Sequence, residues 1–331
     1  MKSKIQPAEM KMAFVLAPGH NYLDLSQAAS IVNRRFYRQG LNWAVSHFTF
    51  YKASSTETGN VGVAINKLPQ TWIFSNAWEK AFRAWNKMTN DAMKDSGTTK
   101  GKFTDFKIFM NEDHFSEGFQ KNLLPLDASY NSNTGVTTVP GEWEPSSIHV
   151  PVTDSSGFVI TGQTREFKLV GVGPNYGASG SEDFVSLING YANSRNLPNI
   201  SDPNSPLQLG DTRGATPENW IGAMSNDGTN QDSEVLEDIV KQDQPPYPFE
   251  NDGNHLTTMY PGGEIQLPAL RIHDAGYFNA GPNANKITLE GGSFPCGLVN
   301  INNASQDNLS MILTLVPGTH RGYLAESMTE M

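Results

Sequence analysis

Cysteine is almost absent from this sequence. The single cysteine, Cys296, excludes an internal disulfide framework and any cysteine-based zinc cluster. Because Cys296 lies in an apolar stretch, we expect it to be a small buried hydrophobic residue. The seven histidines are scattered without metal-ligand spacing. Glu112-Asp113-His114 could bind a metal, but no acidic segment follows the calcium-loop pattern, so a solvated loop is favoured. The sequence predicts no cofactor and no metal site, and a structural Ca²⁺ ion is left open without a supporting motif.

Long apolar runs and the common catalytic motifs are also missing. No run approaches the roughly 18 residues that a membrane-spanning helix needs. No apolar stretch of signal-peptide length follows Met1-Lys2-Ser3-Lys4, so we expect no secretion by that route. The sequence has no Gly-x-Ser-x-Gly, no His-Glu-x-x-His and no phosphate-binding loop. We therefore predict a protein that is not an enzyme.

Turn-forming residues, in contrast, are abundant. The chain has Gly 30 and Pro 20 among its 331 residues, and it is rich in Asn, Ser and Thr between short apolar runs. This pattern favours an all-β frame with about a dozen strands, concentrated at both ends of the chain. Because neither end has enough apolar faces for its own core, we expect strands from both ends to interleave. The predicted fold is a jelly-roll β-barrel or sandwich of two four-stranded sheets, as one domain over residues 1–331.

The stretch from Asn60 to Met110 predicts a strand, an amphipathic helix and a second strand. Alternating Val and Ile suit a half-buried strand, and the helix should begin near Ser75-Asn76 and end at Gly97. The strand after the helix should run from Phe103 to Met110. Three aromatic residues anchor the apolar stripe of the helix in the core: Trp78, Phe82 and Trp85.

Three segments stand apart from the predicted strands. Residues 111–147 form a long loop insertion, residues 174–260 an acidic helix-and-loop insertion, and residues 317–331 a polar C-terminal tail. A helix is predicted from Ser181 to Ser194. The turn from Asn302 to Asn308 predicts that the last two strands form an antiparallel pair.

Charge is unevenly distributed along the chain. Residues 1–121 hold 16 Lys+Arg against 10 Asp+Glu, a balance of +6, whereas the remaining residues carry a balance of -16. Arg34, Arg35 and Arg38 alternate with Phe36 and Tyr37, a combination that single-stranded nucleic acid binding uses. The alternatives are a chance distribution of charge and a structural arginine cluster that pairs with carboxylates.

Several strings of the sequence resemble coat proteins encoded by small single-stranded DNA virus genomes from environmental samples. The strings are Ile31–Gly40, Ser75–Lys80, Pro248–Gly253 and Pro317–Glu326, and the resemblance spans the chain. It implies a β-barrel capsid subunit of an icosahedral virion that assembles with copies of itself inside the host cell and encloses single-stranded DNA. Minor capsid proteins would be further partners. The helix around Trp78 is similar to the one that many viral jelly rolls carry between their third and fourth strands.

One departure from such coat proteins concerns genome contact. The chain has no long Arg/Lys-rich arm before its first strand, so the genome would meet a folded basic surface, another protein or counterions. The candidate surface consists of Arg34, Arg35, Arg38, Lys80, Arg83 and Lys87. The tail is a candidate clamp on an adjacent subunit, with contacts through His320, Arg321 and Tyr323; a disordered end is the alternative.

Two further interpretations compete with this one. A double jelly roll, as in the coats of membrane-containing phages, would need about sixteen strands. A carbohydrate-binding or adhesive β-sandwich, such as a spike or fibre component, would use exposed loop aromatics: Trp143, Trp220 and Tyr247. A hydrolase would require convergent carboxylates, which spacing does not reveal.

Overall fold

The computed structural model describes residues 7–52, 61–127, 138–153, 159–173, 183–195, 205–206, 220–223, 269–278 and 285–331. The chain is mostly β-sheet. It divides into two compact units. Unit 1 consists of Met1–Gln70, Asp113–Glu144 and Leu270–Met331, and unit 2 consists of Thr71–Glu112 and Pro145–Ala269. The sequence predicted one domain over residues 1–331, with a loop insertion at residues 111–147. Most of that loop belongs to unit 1.

The strands are numbered in chain order. They are β1 (Lys11–Leu16), β2 (Gly19–Asp24), β3 (Leu41–Lys52), β4 (Val61–Lys67), β5 (Ser147–Thr153), β6 (Val159–Val170), β7 (Phe184–Ser186), β8 (Ser205–Pro206), β9 (Arg271–Phe278), β10 (Lys286–Phe294), β11 (Leu298–Asn303), β12 (Leu309–Leu315), β13 (Pro317–Gly318), β14 (Gly322–Tyr323) and β15 (Ala325–Ser327). The α-helices are α1 (Leu25–Asn33), α2 (Trp72–Ser96), α3 (Glu112–Glu117), α4 (Leu187–Arg195) and α5 (Trp220–Ala223).

Unit 1 contains two antiparallel sheets. The first has the order β1-β12-β3-β10, with β15 also paired to β3, and the second has the order β2-β11-β4-β9. Each early strand therefore pairs with a late one, as β1 with β12, β2 with β11, β3 with β10 and β4 with β9. The prediction that strands from both ends of the chain close one core is confirmed.

The core of unit 1 follows from alternation along these strands. In β1, Met12, Phe14 and Leu16 are buried while the residues between them are more exposed. β12 repeats the pattern, and the large apolar side chains of both sheets form one cluster. Each fully buried large apolar side chain contributes roughly 1.5–3 kcal/mol relative to an exposed one. Cys296 belongs to this buried interior, as its sequence context predicted.

Hydrogen bonds occupy part of the outer strands of the two sheets. On one side, the Glu290 N–H of β10 donates to the Asp274 carboxylate of β9 at 2.8 Å, and His273 Nε2 lies 2.9 Å from the Gly291 carbonyl oxygen. On the other side, the Leu123 N–H donates to the Tyr22 carbonyl of β2, and the Leu126 N–H donates to the Ala13 carbonyl of β1.

The last two long strands do not pair with each other. β11 lies in the second sheet and β12 in the first, so the predicted antiparallel pair is wrong. The connection crosses between the sheets, and the Asn303 side-chain amide fixes it by donating to the carbonyl oxygens of Ala17 and Asp307.

Unit 2 combines α2 with a mixed sheet of order β7-β6-β5-β8. α2 begins earlier than predicted because Thr71 caps it, its hydroxyl accepting from the Phe74 N–H. Gly97 ends the helix in the left-handed conformation, as expected. The predicted strand from Phe103 to Met110 is reduced to a bridge at Phe109. Within the predicted helix from Ser181 to Ser194, residues Phe184–Ser186 form β7 instead. Other parts of the 174–260 insertion lie outside the described residues.

The position of α2 in the chain also differs from the prediction. α2 follows β4, the fourth strand, so the expected placement between the third and fourth strands is wrong. The helix inserted between early strands of unit 1 is α1, which connects β2 to β3. The Asp24 carboxylate caps α1 by accepting from the N–H groups of Ser26 and Gln27.

Candidate nucleic-acid and subunit-contact surfaces

The loop after α1 presents three arginines to solvent. α1 ends at Asn33, and Arg34 takes the C-cap position with φ 52° and ψ 38° while its N–H bonds to the Ser30 carbonyl. Along residues 34–39, the side chains of Arg34, Arg35 and Arg38 are exposed, whereas Tyr37 and Gln39 are buried. The buried residues hold this loop in place, and the arginines face outward.

Hydrogen bonds from Tyr37 and Gln39 fix the backbone of this loop. The Tyr37 N–H donates to the Ser30 hydroxyl at 2.9 Å, and the Tyr37 hydroxyl donates to the Arg321 carbonyl at 3.0 Å. The Gln39 amide donates to the Asp24 carboxylate at 3.0 Å. Burial raises the pKa of Tyr37, although the charges of Arg35 and Arg321 oppose that shift.

Arg321, predicted as a subunit contact, joins the same loop. Its guanidinium donates to the Phe36 carbonyl. Arg38 lies over the Phe36 ring at 5.5 Å, and the Arg35 guanidinium donates to the Pro7 carbonyl at 3.1 Å. Within the described residues, neither Arg34 nor Arg321 forms an ion pair with a carboxylate. The four arginines form what we call the arginine cluster: Arg34, Arg35, Arg38 and Arg321.

The other predicted basic residues lie on α2, in unit 2. The Lys80 ammonium sits 5.4 Å from the centre of the Tyr191 ring and is half-buried, so Lys80 takes part in packing. Arg83 pairs with Glu79 one turn earlier, and Lys87 is exposed. The six residues predicted as one basic surface are therefore divided equally between the two units.

The predicted core anchors of α2 form an aromatic cluster within unit 2. Trp78 stacks on Phe82 with 5.2 Å between ring centroids, and Phe106 meets Trp78 edge-on. Trp78 and Trp85 are buried, whereas Phe82 is half-buried. Such pairs add about 0.5–1.5 kcal/mol beyond area burial.

The C-terminal tail packs on its own unit. Tyr323 is fully buried, its hydroxyl donates to the Glu9 carbonyl at 2.7 Å, and it accepts from the Asn33 amide at 2.7 Å. Burial is the main reason that the pKa of Tyr323 rises to about 12. β15 pairs with the start of β3, so the alternative of a disordered end is wrong, whereas the clamp on an adjacent subunit stays a prediction. Of the predicted tail contacts, Tyr323 belongs to the interior, while Arg321 is exposed and His320 is half-buried.

Two of the three aromatic residues proposed for sugar stacking, Trp143 and Trp220, are buried. Trp143 is buried, and its indole N–H donates to the Asp24 carboxylate at 3.0 Å. Trp220 is fully buried, with its indole N–H donating to the Ser186 carbonyl. Both were expected in exposed loops, and their polar N–H groups instead find partners in the interior. Tyr247 lies outside the described residues.

A buried polar network in unit 1 was missed at the sequence level. The Asn122 amide donates to the Gln27 side-chain oxygen at 2.9 Å, and its own oxygen lies 2.8 Å from His114 Nε2. The His114 ring stacks on Tyr22 at 4.4 Å, and burial lowers its pKa to about 4. The segment Glu112-Asp113-His114, expected to be a solvated loop, thus supplies an interior residue. The sequence did contain a sign of the helix that positions Gln27, because Asp24-Leu25-Ser26 has the pattern of a helix N-cap.

The described residues contain neither a metal-binding group nor a membrane-spanning helix. No group of three or more His, Cys, Asp or Glu side chains there could hold a metal ion. None of the helices in the described part of the chain has the length and apolar character to cross a membrane. No protein-family model, curated protein or solved structure matches this chain.

Proposed function

We propose that this chain is a major capsid protein that self-assembles into an icosahedral shell around a single-stranded DNA genome. The observation that carries the proposal is the strand pairing of unit 1. Its four antiparallel ribbons, β1–β12, β2–β11, β3–β10 and β4–β9, alternate between the two sheets. This pairing supports an eight-stranded jelly roll, in which one long antiparallel ribbon is rolled up, an architecture used by viral capsid domains. The sequence resemblance to viral coat proteins supports the same function.

A single jelly roll is favoured over a double one. The described sheet of unit 2 has four strands, and two of its pairs, β6 with β7 and β5 with β8, are parallel. An up-and-down or jelly-roll barrel is built from antiparallel pairs. We therefore assign the jelly roll to unit 1 and treat unit 2 as an elaboration inserted between its fourth and fifth strands.

Assembly would use the exposed side of β9, the outer strand of the second sheet in unit 1. On this strand, Ile272 is 74% exposed and Tyr277 is 68% exposed. Burying both between copies would stabilise a closed, symmetric contact.

The competing carbohydrate-binding function is supported less well than the capsid function. Lectins also use jelly rolls, so the fold of unit 1 does not separate the two functions. Sugar stacking, however, needs exposed aromatic rings, and Trp143 and Trp220 are buried.

Analytical ultracentrifugation of the full-length recombinant chain, followed by negative-stain imaging, separates these functions. A closed shell of 36.3 kDa subunits has a mass on the order of megadaltons. The double variant Ile272→Ser/Tyr277→Ser should shift the population toward free subunits while leaving the urea unfolding midpoint close to that of the parent. Monomers or trimers that bind a glycan array would contradict the proposal.

A further inference from the structure

Two members of the arginine cluster have a backbone conformation that disfavours arginine. Within the described residues, three non-glycine residues have positive φ: Arg34, Cys296 and Arg321, at 52°, 58° and 50°. In this left-handed region the Cβ atom is crowded, and glycine is the residue that adopts it without cost. The helix C-cap region that Arg34 occupies is commonly served by glycine. Arg34 and Arg321 thus hold a backbone conformation that glycine would adopt at lower cost.

Arg321 packs against the loop that begins at Arg34, although 287 positions separate the two residues in the sequence. The Tyr37 hydroxyl bonds to the Arg321 carbonyl, and the Arg321 guanidinium bonds to the Phe36 carbonyl. Arg35 and Arg321 both act on the Tyr37 hydroxyl through their charge. The loop after α1 and the turn between β13 and β14 therefore form one exposed cationic surface.

Packing does not explain why arginine occupies position 34. The side chain of Arg34 is exposed, so glycine there would relieve the backbone without opening a cavity in the core. An exposed side chain that is retained at a cost in stability points to a role other than folding, such as binding.

We propose that the arginine cluster, Arg34, Arg35, Arg38 and Arg321, binds the phosphate groups of single-stranded nucleic acid. This inference deepens the proposed capsid function and rests on it. The planar guanidinium matches phosphate oxygens with two parallel N–H donors. Arg38 over the Phe36 ring adds a flat surface on which a base can stack. The cluster would supply cations that an N-terminal basic arm supplies in other coat proteins.

Fluorescence anisotropy with a labelled oligodeoxythymidylate of about twenty nucleotides tests the assignment on the soluble full-length chain. Arg34→Gly and Arg38→Gln should each weaken binding about fourfold near 0.15 M salt and reduce the slope of log affinity against log salt by about 0.7. Arg34→Gly should also have a thermal unfolding midpoint equal to or above that of the parent, because it relieves the backbone. A purely structural Arg34 would instead lower that midpoint.

Arg271→Gln is the matched control, since Arg271 is exposed in unit 1 but lies outside the cluster. Its binding should stay close to that of the parent. Equal losses in Arg271→Gln and Arg38→Gln would overturn the proposal, because they would indicate only a general charge effect. Comparable binding of poly-glutamate, lost in the same variants, would overturn it in favour of an acidic protein partner.

The outcome can be separated from that of the capsid proposal. If shells form and the cluster variants bind the oligonucleotide like the parent, the cluster assignment alone is wrong. If no shells form but the cluster variants lose binding while Arg271→Gln retains it, the assignment stands and the capsid function is wrong.

Discussion

At the scale of single residues, the buried Asp24 carboxylate accepts four hydrogen bonds in unit 1. One carboxylate oxygen caps α1 through the N–H groups of Ser26 and Gln27. The other accepts from the Gln39 amide and the Trp143 indole. Burial raises the pKa of Asp24 even though these four bonds favour its charged form. The network therefore joins β2, α1, the arginine loop and the segment before β5.

Asp24→Asn should destabilise the protein strongly. An amide offers only one acceptor oxygen, so its NH₂ group would face the donors of Gln39 or Trp143 and leave them unsatisfied. We expect a loss of about 3 kcal/mol in the free energy of unfolding, measured by urea titration. Asp307→Asn is the control, because Asp307 is exposed and should change stability by no more than about 0.5 kcal/mol. Similar values for the two variants would contradict the role of Asp24.

His114 should make the protein sensitive to acid. Its pKa is about 4 in the fold against 6.5 when unfolded, so the unfolded chain binds the proton first. The stability it contributes is complete above pH 6.5 and is lost as the pH falls toward 4, by about 3 kcal/mol. The raised pKa of Asp24 has the opposite sign, because its contribution is lost as the pH rises through its folded pKa.

The His114→Gln variant isolates this effect. Urea titrations of both proteins between pH 7 and pH 4 should show a smaller loss of stability in the variant, whatever its stability at neutral pH. An unchanged pH dependence would mean that other groups cause the acid sensitivity.

The burial of a residue could be predicted only where its neighbours in the sequence determine it. Cys296 lies among apolar residues, and its burial was predicted correctly. Trp143 lies in a polar, turn-rich segment and was expected to be exposed. Its burial depends on Asp24, a partner far away in the sequence, and no local pattern reports such a partner.

At the scale of elements, the C-terminal segment seals one end of the unit 1 core. Met328 is fully buried, and its sulfur accepts from the Cys296 N–H at 3.3 Å. β15 extends the sheet along the first residues of β3. The tail is therefore a structural part of its own unit.

Deletion of Ala325–Met331 should lower the thermal unfolding midpoint by several degrees, because the start of β3 loses its partner and Cys296 loses its cover. The same deletion should make the Cys296 thiol accessible to an aromatic disulfide reagent under native conditions, whereas the full-length chain should react only after unfolding. An unreactive thiol together with an unchanged midpoint would show that the tail is dispensable.

Close packing between α4 and α5 in unit 2 depends on a missing side chain. A Cβ atom on Gly190 would overlap the Trp220 indole. We expect Gly190→Ala to lower the free energy of unfolding by about 1–3 kcal/mol through overpacking. Gly101→Ala is the control, because the new methyl group would meet only the Thr104 hydroxyl at 4.0 Å. Equal effects of both substitutions on the urea midpoint would contradict this packing.

Elements with strong periodicity were predicted best. α2 carries an apolar stripe with two tryptophans, and both its existence and its end at Gly97 were predicted. Its beginning was missed because Thr71 caps it from outside the stripe. The segment from Phe103 to Met110 has strand-like composition, yet it meets a neighbouring strand only at Phe109.

At the scale of the whole molecule, the interleaving of strands from the two chain ends was the part of the fold that could be predicted from the sequence. It followed from the shortage of apolar faces at either end. The division into two units could not be predicted. After α2, residues 113–144 return to unit 1 through contacts such as the hydrogen bond from the Leu123 N–H to the Tyr22 carbonyl. Such a return depends on tertiary hydrogen bonds, which leave no periodic signal.

Cryo-electron microscopy of the particles formed by the full-length chain tests the central claim most directly. The account predicts a closed shell with icosahedral symmetry whose wall contains the eight long strands of unit 1, with β1 beside β12 and β2 beside β11. Particles of a single size that lack this ribbon pairing, or a protein that stays monomeric at every concentration and ionic condition, would contradict it.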